Sequence, residues 1–332
     1  MLIEKQQKLN PHGSPCEICD EGVFLVMGHS QELVNMKLDR ARGDISREKY
    51  WEAVAKALVG AESITGLLPK GAEVRIRPDE LLLDWNEPFT GMRLTFELDP
   101  HDLRTFPPTL IAEGSYEPTL SSLLFSLIHR SKTFVDVGAN IGLYSVGALK
   151  MDQGIRVISY EPNPVVFSKL SRNLDLNNCL DKASIRNKAL SNQVIGSVDF
   201  FVPKLTGSGG GSMSNLHADE GSPIVQRISA TTLDRDLQDL GGVPVDVMKV
   251  DVEGHEFEVF LGGLKTIRNF LPTIVIELLR KWMGPFGNHP QDVVSLLGEE
   301  GYEAFAITDF GCKRIAECQR SLKNVPILLG EN

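Results

Sequence analysis

FVDVGANIG, residues 134–142, reads as an apolar strand carrying one acid, a glycine-rich turn and the opening of a helix. Units of this kind build open α/β sheets, where ligands bind beyond the carboxyl ends of the strands, at the point where strand order reverses. Gly138 and Gly142 have no Cβ, so the backbone can pass close to a bound molecule. Their spacing is GxxxG. The GxGxxG that seats a pyrophosphate on a helix N-terminus is missing, so a mononucleoside cofactor fits better than a dinucleotide. Asp136 either serves that ligand or bonds the amides of the loop.

Outward from this unit the pattern repeats. Arg156 to Tyr160 predicts the next strand, with helix from Leu143 to Met151 before it and from Val165 to Asn177 after it. Glu161 follows that strand directly, about 20 residues past the glycines, where an acid can accept both hydroxyl hydrogens of a ribose. Ile185 to Ala189 is a third strand, and Ser197 to Val202 pairs locally with Ile228 to Thr232. Val245 to Val250 and Thr273 to Glu277 are buried strands joined by a helix over Glu256 to Phe270. Past a helix near Gln291 to Glu299, Ala304 to Thr308 and Val325 to Leu329 close the sheet as an antiparallel pair, giving seven strands in one doubly wound α/β sheet.

Residues 1–105 differ in kind. Trp51, Val54, Ala55 and Leu58 share helical spacing, and Val74 to Arg77, Leu81 to Trp85 and Met92 to Leu98 resemble short strands. They predict a small accessory α+β region that yields to the main domain, residues 106–332, near Pro100, Pro107 and Pro108.

Of the 332 residues, 42% are hydrophobic and 23% charged, which suits a packed globular chain and not a disordered one. A net charge of −10 leaves no basic footprint for nucleic acid. No apolar run is long enough to span a membrane, and the first fifteen residues lack a secretory signal. The cysteines Cys16, Cys19, Cys179, Cys312 and Cys318 are odd in number and scattered, as reduced thiols are, so a cytoplasmic location is expected. Cys16 and Cys19, flanked by His12 and His29, are either a zinc knuckle or ordinary thiols in a surface turn. Nothing in the sequence reports on oligomeric state.

The second chemical cluster is MKVDVEGHE, residues 248–256. Strand alternation puts Lys249 and Asp251 on one face near a carboxyl end. A Lys249–Glu277 ion pair bracing neighbouring strands is the structural account of the lysine. Asp251, Glu253 and His255 are three groups able to take or guide a proton at the ligand-binding edge, although His255 has the simpler role of a helix cap. Two further segments are candidate walls for a substrate: the glycine-rich loop from Thr206 to Pro223, and Arg280 to Pro290 with Trp282 and Phe286.

VDVGANIG, YEPNP, the TTLD of Thr231 to Asp234, KVDVEGHE and the upstream GSYEP of Gly114 to Pro118 together resemble the FkbM family of S-adenosylmethionine-dependent methyltransferases. The resemblance covers about Ala112 to Leu329 and leaves the first hundred residues outside. It implies a class I methyltransferase fold, a Rossmann-like seven-stranded sheet with its last strand antiparallel. The implied cofactor is S-adenosyl-L-methionine, and the implied reaction is methyl transfer to an oxygen, often on a sugar, glycan or secondary metabolite. Under the same resemblance Gly138, Asn140 and Gly142 flank the methionine part of the cofactor, Glu161 meets its ribose and Ala189 its adenine. Glu117 belongs to an element that closes over the cofactor, and Asp251 sits beside the transferring methyl. A base is then needed for a poorly nucleophilic hydroxyl, and Asp251 or His255, with Glu253 orienting one of them, is the expectation. A divalent metal is the other way to activate a hydroxyl, though adjacent chain positions converge poorly on one ion. Two other readings share the strand, the glycines and the ribose acid: a nicotinamide oxidoreductase, and a module that binds the cofactor without turnover.

Overall fold

Every residue of TFVDV is buried, as a strand with neighbours on both edges and cover on both faces must be. In the computed structural model this strand lies inside an eight-stranded sheet. The structure describes residues 71–76, 80–98, 110, 115–203, 211–216, 222–308, 311–314 and 325–331, with scattered positions between 36 and 68. With strands numbered in chain order, the sheet runs β13 (Gly311–Arg314), β12 (Tyr302–Thr308), β14 (Val325–Glu331), β11 (Thr273–Leu278), β10 (Val247–Val250), β4 (Thr133–Val137), β5 (Arg156–Tyr160), β6 (Ala183–Arg186). Pairing is parallel from β6 through β11. β14 inserts antiparallel between β11 and β12. Strand order therefore reverses between β4 and β5 on one side and β10 on the other, which places the switch point at the carboxyl end of β4.

The sheet has one strand more than the seven expected. β13, of sequence GCKR, has no apolar run to announce it and is held as a hairpin partner of β12, with Ile307 opposite Cys312. The third strand is also shorter than expected. β6 ends at Arg186, and β7 (Ala189–Leu190) belongs to a separate three-stranded sheet with β9 (Ile224–Thr231) and β8 (Ile195–Val202). The local β8–β9 pairing expected from the sequence is present.

The helices, numbered likewise, are α1 (Pro118–Ile128), α2 (Leu143–Met151), α3 (Pro164–Leu176), α4 (Leu233–Asp239), α5 (Glu256–Leu261), α6 (Leu264–Phe270), α7 (Arg280–Met283) and α8 (Pro290–Glu299). The single helix expected over Glu256 to Phe270 is two, parted at Gly262 and Gly263, and a Cβ on Gly262 would lie 2.1 Å from the Ser191 carbonyl oxygen. Asp234 then caps the second piece, its carboxylate accepting from Lys265 N, Thr266 N and Thr266 Oγ1. The acid of TTLD is thus a structural cap on α6, at about 1 kcal/mol for such a bond set. Val135, Val137, Met248, Val250, Ile274 and Ile276 stand at the centre of the main apolar core, with Leu237, Phe260 and Leu297 from the helices packed in the same cluster.

The chain divides into two compact units, Met1–Leu68 and Pro69–Asn332. The antiparallel sheet of β1 (Glu73–Ile76), β2 (Leu81–Asn86) and β3 (Arg93–Glu97) therefore belongs to the larger unit, although the sequence groups it with residues 1–105. It is fastened there by side chains of α3. Asn177 Oδ1 accepts from Thr95 N at 3.0 Å and its Nδ2 donates to Thr95 O at 2.7 Å. Asn173 Oδ1 accepts from Glu97 N at 2.8 Å. The helix suggested around Trp51, the Cys16–Cys19 pair with His12 and His29, and most of the loop at 206–212 lie outside the described residues. No described helix is long and apolar enough to cross a membrane.

Candidate active site

The turn after β4 is pinned to two strands at once. Gly138 N and Ala139 N both donate to the Tyr160 carbonyl, and Asp251 N donates to the Val137 carbonyl. Gly138 (φ +77°) passes so close to the β10 loop that a Cβ there would lie 1.8 Å from Asp251 O. Only glycine permits that approach. Asn140 is held at φ +50°, and its Oδ1 is buried without a hydrogen-bond partner among the described residues.

Glu161 locks this turn to the next. Its Oε2 accepts from Asn140 N at 3.0 Å and its Oε1 from Asn163 N at 2.9 Å. Asn163 in turn caps α3 through Val165 N. Burial pushes the Glu161 carboxyl up to about 7, against the pull of those two amides. Each carboxylate oxygen keeps lone-pair capacity for a further donor, as a ribose diol requires.

Asp136 does not bond the loop amides. It is fully buried, and its Oδ2 accepts from Ser145 Oγ at 2.6 Å while Oδ1 lies 3.9 Å from Lys249 Nζ. Lys249 in turn donates to Asp251 Oδ2 at 3.1 Å and to Gly138 O at 3.2 Å, with its ammonium 5.7 Å from the Tyr144 ring centre. The Lys249–Glu277 brace expected from the sequence is replaced by this Asp136–Lys249–Asp251 chain. Burial opposes the lysine's charge, but the carboxylates of Asp251 and Asp136 win and hold it above the ordinary lysine range. One cation thus ties the glycine turn to the acid after β10.

Two clefts flank the seam where Gly138 meets Asp251. The larger, about 360 Å³, is lined by Glu117, Pro118, Leu120, Lys249, Asp251, Val275, Ile276, Glu277 and Ile307 among others. Glu117 enters it from a left-handed N-cap (φ 40°) at the start of α1, with Tyr144 Oη donating to its Oε2 at 3.3 Å. Desolvation, with the nearby Asp251, raises the Glu117 carboxyl. Glu277 is the group that sequence reasoning misplaced. Burial first, then the charges of Asp251, Glu117 and Glu253, push its carboxyl up to about 9.

The second cleft is narrow, about 30 Å³, and lined by Gly138, Pro162, Lys188, Ala189, Met213 and His255 among others. His255 therefore lines a different cleft from Glu117 and Glu277. It stands at the N-cap of α5 without a side-chain cap bond. Its Nε2 pairs with Ser191 Oγ at 3.1 Å and its Nδ1 lies 3.5 Å from Glu258 Oε2. Burial lowers its pKa, with Glu258 opposing. Phe286, suggested as a ring for stacking on a sugar, packs edge-on against His255 at 5.0 Å between centroids. Glu253 adopts φ 53°, and its carbonyl accepts from Ser212 Oγ at 2.9 Å, which ties the loop to the chain segment carrying Met213. A buried acid absent from the sequence expectations, Glu256, folds back to accept from Gly254 N at 2.9 Å, and burial raises it to about 7. Among the described residues no three His, Cys, Asp or Glu side chains gather as a metal site.

These residues suit a mononucleoside donor: an acid with spare lone pairs after β5 is bonded to the turn after β4, which carries an unpartnered, buried Asn140 amide oxygen. The chain is 28% identical to methyltransferase sdnD of Sordaria araneosa, over 51% of this chain and 73% of that protein. It is 29% identical to the hexuronic acid methyltransferase AglP of Haloferax volcanii, over 55% of this chain and 68% of that one. The solved FkbM methyltransferase of Methylobacillus flagellatus aligns with a TM-score of 0.37 at 17% identity, over 60% of this chain and 43% of that one. The sequence profile of the methyltransferase FkbM domain matches residues 136–304, about half of the chain and the whole span from the glycine turn to β12. The chain belongs to the FkbM family of methyltransferases.

Proposed function

We propose that this enzyme transfers a methyl group from S-adenosylmethionine to a hydroxyl oxygen of a sugar, glycan or secondary metabolite. The observation that carries the reading is the contact of the Gly138 turn with the Asp251 carbonyl, because it sets an acid-lined cleft and a narrow nonpolar one on either side of a single seam. Gly138, Asn140 and Gly142 hold the methionine portion, Glu161 the ribose and Ala189 the adenine, while Glu117 closes over them. When bound, the cofactor supplies an electrophilic methyl on a sulfonium.

The chain's own part is alignment and proton removal. Asp251 takes the hydroxyl proton as the acceptor oxygen gains the methyl. Lys249 fixes the orientation of Asp251, and Asp136 steadies Lys249 from beneath. Asp251 goes from carboxylate to carboxylic acid in that step, which would balance the charge given up by the bound donor. His255 is the weaker candidate for base, because Ser191 occupies its Nε2 and Glu258 faces its Nδ1. It serves as a positioning residue that ties the β10 loop to the Ala189 wall. Glu253, whose carbonyl Ser212 engages, orients the same loop.

Calorimetry with S-adenosylmethionine and with NADH tests the donor, and a preference for NADH refutes the reading. Asp251→Asn should cut turnover about 10²- to 10⁴-fold while cofactor affinity stays within a few fold. Mass spectrometry of extracts from a deletion strain, seeking a product lighter by one methyl group, identifies the acceptor.

A further inference from the structure

Glu277 closes the larger cleft at the end of β11 and has no role in the transfer derived above. Among the described residues it makes no hydrogen bond or ion pair. Among the described residues the charged groups facing it are Asp251, Glu117 and Glu253, with Lys249 as the one cation, and Tyr116 shares the same surroundings. Lys249 is already committed to Asp251 Oδ2, Gly138 O and, more distantly, Asp136 Oδ1. Two of its three protons are engaged by these bonds, and the buried ammonium is held among the chain's own carboxylates. The rest of the wall, including Ile276 and Ile307, is apolar.

We propose that this cleft selects its methyl acceptor by charge: it admits a neutral or ammonium-bearing polyhydroxylated ring and rejects one carrying a carboxylate or phosphate, with Glu277 setting the bias. The inference rests on the transferase reading above and narrows its acceptor. An anion entering here sheds water and faces the Asp251 carboxylate, and Lys249, the one cation among the described lining residues, is already paired with it. Glu277 escapes the same penalty by keeping a proton, and in that form it donates a hydrogen bond to an acceptor oxygen. An entering ammonium instead displaces that proton and gains an ion pair. The cavity of about 360 Å³ falls in the size class of small-molecule sites.

The test uses the full chain saturated with S-adenosylhomocysteine, which leaves the acceptor side open, after calorimetry has measured that saturation. Methyl glucopyranoside, glucosamine and glucuronate then serve as probes of similar size and different charge, with binding followed by saturation-transfer NMR at neutral pH. The first two should bind, and glucuronate should bind at least about 100-fold more weakly, since like charges brought together cost several kcal/mol. Glu277→Lys should bring glucuronate to within about tenfold of the neutral probe. Glu277→Gln keeps the shape and should erase the advantage of glucosamine over methyl glucopyranoside. Thermal melts establish that both variants fold, and the glutamine variant alone suffices if the lysine variant does not. Glucuronate binding as well as the neutral probe, failure of both uncharged and ammonium probes, or unchanged preferences in the variants would each overturn the selectivity while leaving the methyltransferase reading intact. Failure of the wild-type chain to bind S-adenosylhomocysteine overturns both.

Discussion

Lowering the pH from 8 to 6 should weaken cofactor binding through one residue, Glu161. The ribose site needs the carboxylate, because only the ionised form can accept from two hydroxyls while also accepting from Asn140 N and Asn163 N. Burial holds this carboxyl at about 7, so protonation competes with binding near neutral pH. With that midpoint the ionised fraction falls from about nine tenths at pH 8 to about one tenth at pH 6, and the apparent dissociation constant rises about tenfold. For the empty protein the sign is reversed. A carboxyl raised from 4.5 to about 7 in the folded state takes up protons on folding, so its contribution to stability grows as pH falls through 7, approaching about 3 kcal/mol below 4.5. Titration calorimetry with S-adenosylhomocysteine across pH 6 to 8 reads the affinity, and thermal melts of the empty chain read the stability. Glu256, at about 7, titrates in the same window, and Glu161→Gln separates the two. That variant should bind about 10- to 100-fold more weakly, from the loss of charged hydrogen bonds, and its affinity should lose most of its pH dependence. A flat wild-type profile, or a glutamine variant that keeps the full slope, would refute the assignment.

Gly138→Ala forces a methyl into the Asp251 carbonyl at a positive φ, so a stability loss of about 3 kcal/mol or more in urea melts and loss of cofactor binding are expected together. Asp236 accepts from Arg186, Lys188 and Tyr160 Oη beneath the ribose strand; Asp236→Ala strands two cations and should cost about 3 kcal/mol in the same assay. Turnover should survive exhaustive treatment with EDTA, because Asp251 supplies the proton acceptor without help from an ion. Retained activity in the Asp251→Asn variant, measured as S-adenosylhomocysteine release, would remove that residue from the mechanism.

The parallel core was legible because β4, β5, β10 and β11 are short, mostly apolar and β-branched runs, as burial on both faces demands whatever surrounds them. β13 was not, since GCKR becomes a strand only by pairing with β12. The break between α5 and α6 was hidden for a similar reason: the close approach of Gly262 to the Ser191 carbonyl comes from about seventy positions away in the chain. In the site, the placement of the glycines and Glu161 could be read from spacing, because it follows from their place on a strand-turn-helix unit. The partners of Lys249 could not. Alternation showed which face it occupies, but the choice of Asp136 and Asp251 over Glu277 depends on how far neighbouring strand ends project. Glu256 and Glu277 were visible as acids, and only the fold reveals that they are shielded from water.

The asparagines of α3 carry one more implication. An outer strand with bare amides invites pairing with another chain, and proteins guard against it with charge, brevity or cover. Here Asn173 and Asn177 present carboxamides one helical turn apart and imitate the missing neighbour of β3, satisfying Thr95 and Glu97 where a further strand would bind. Replacing Asn177 alone with leucine would leave Thr95 N and O unanswered on that rim while Asn173 still holds Glu97 and the Ile141 carbonyl, so the variant's failing should be self-association in concentrated solution and not loss of the transferase centre.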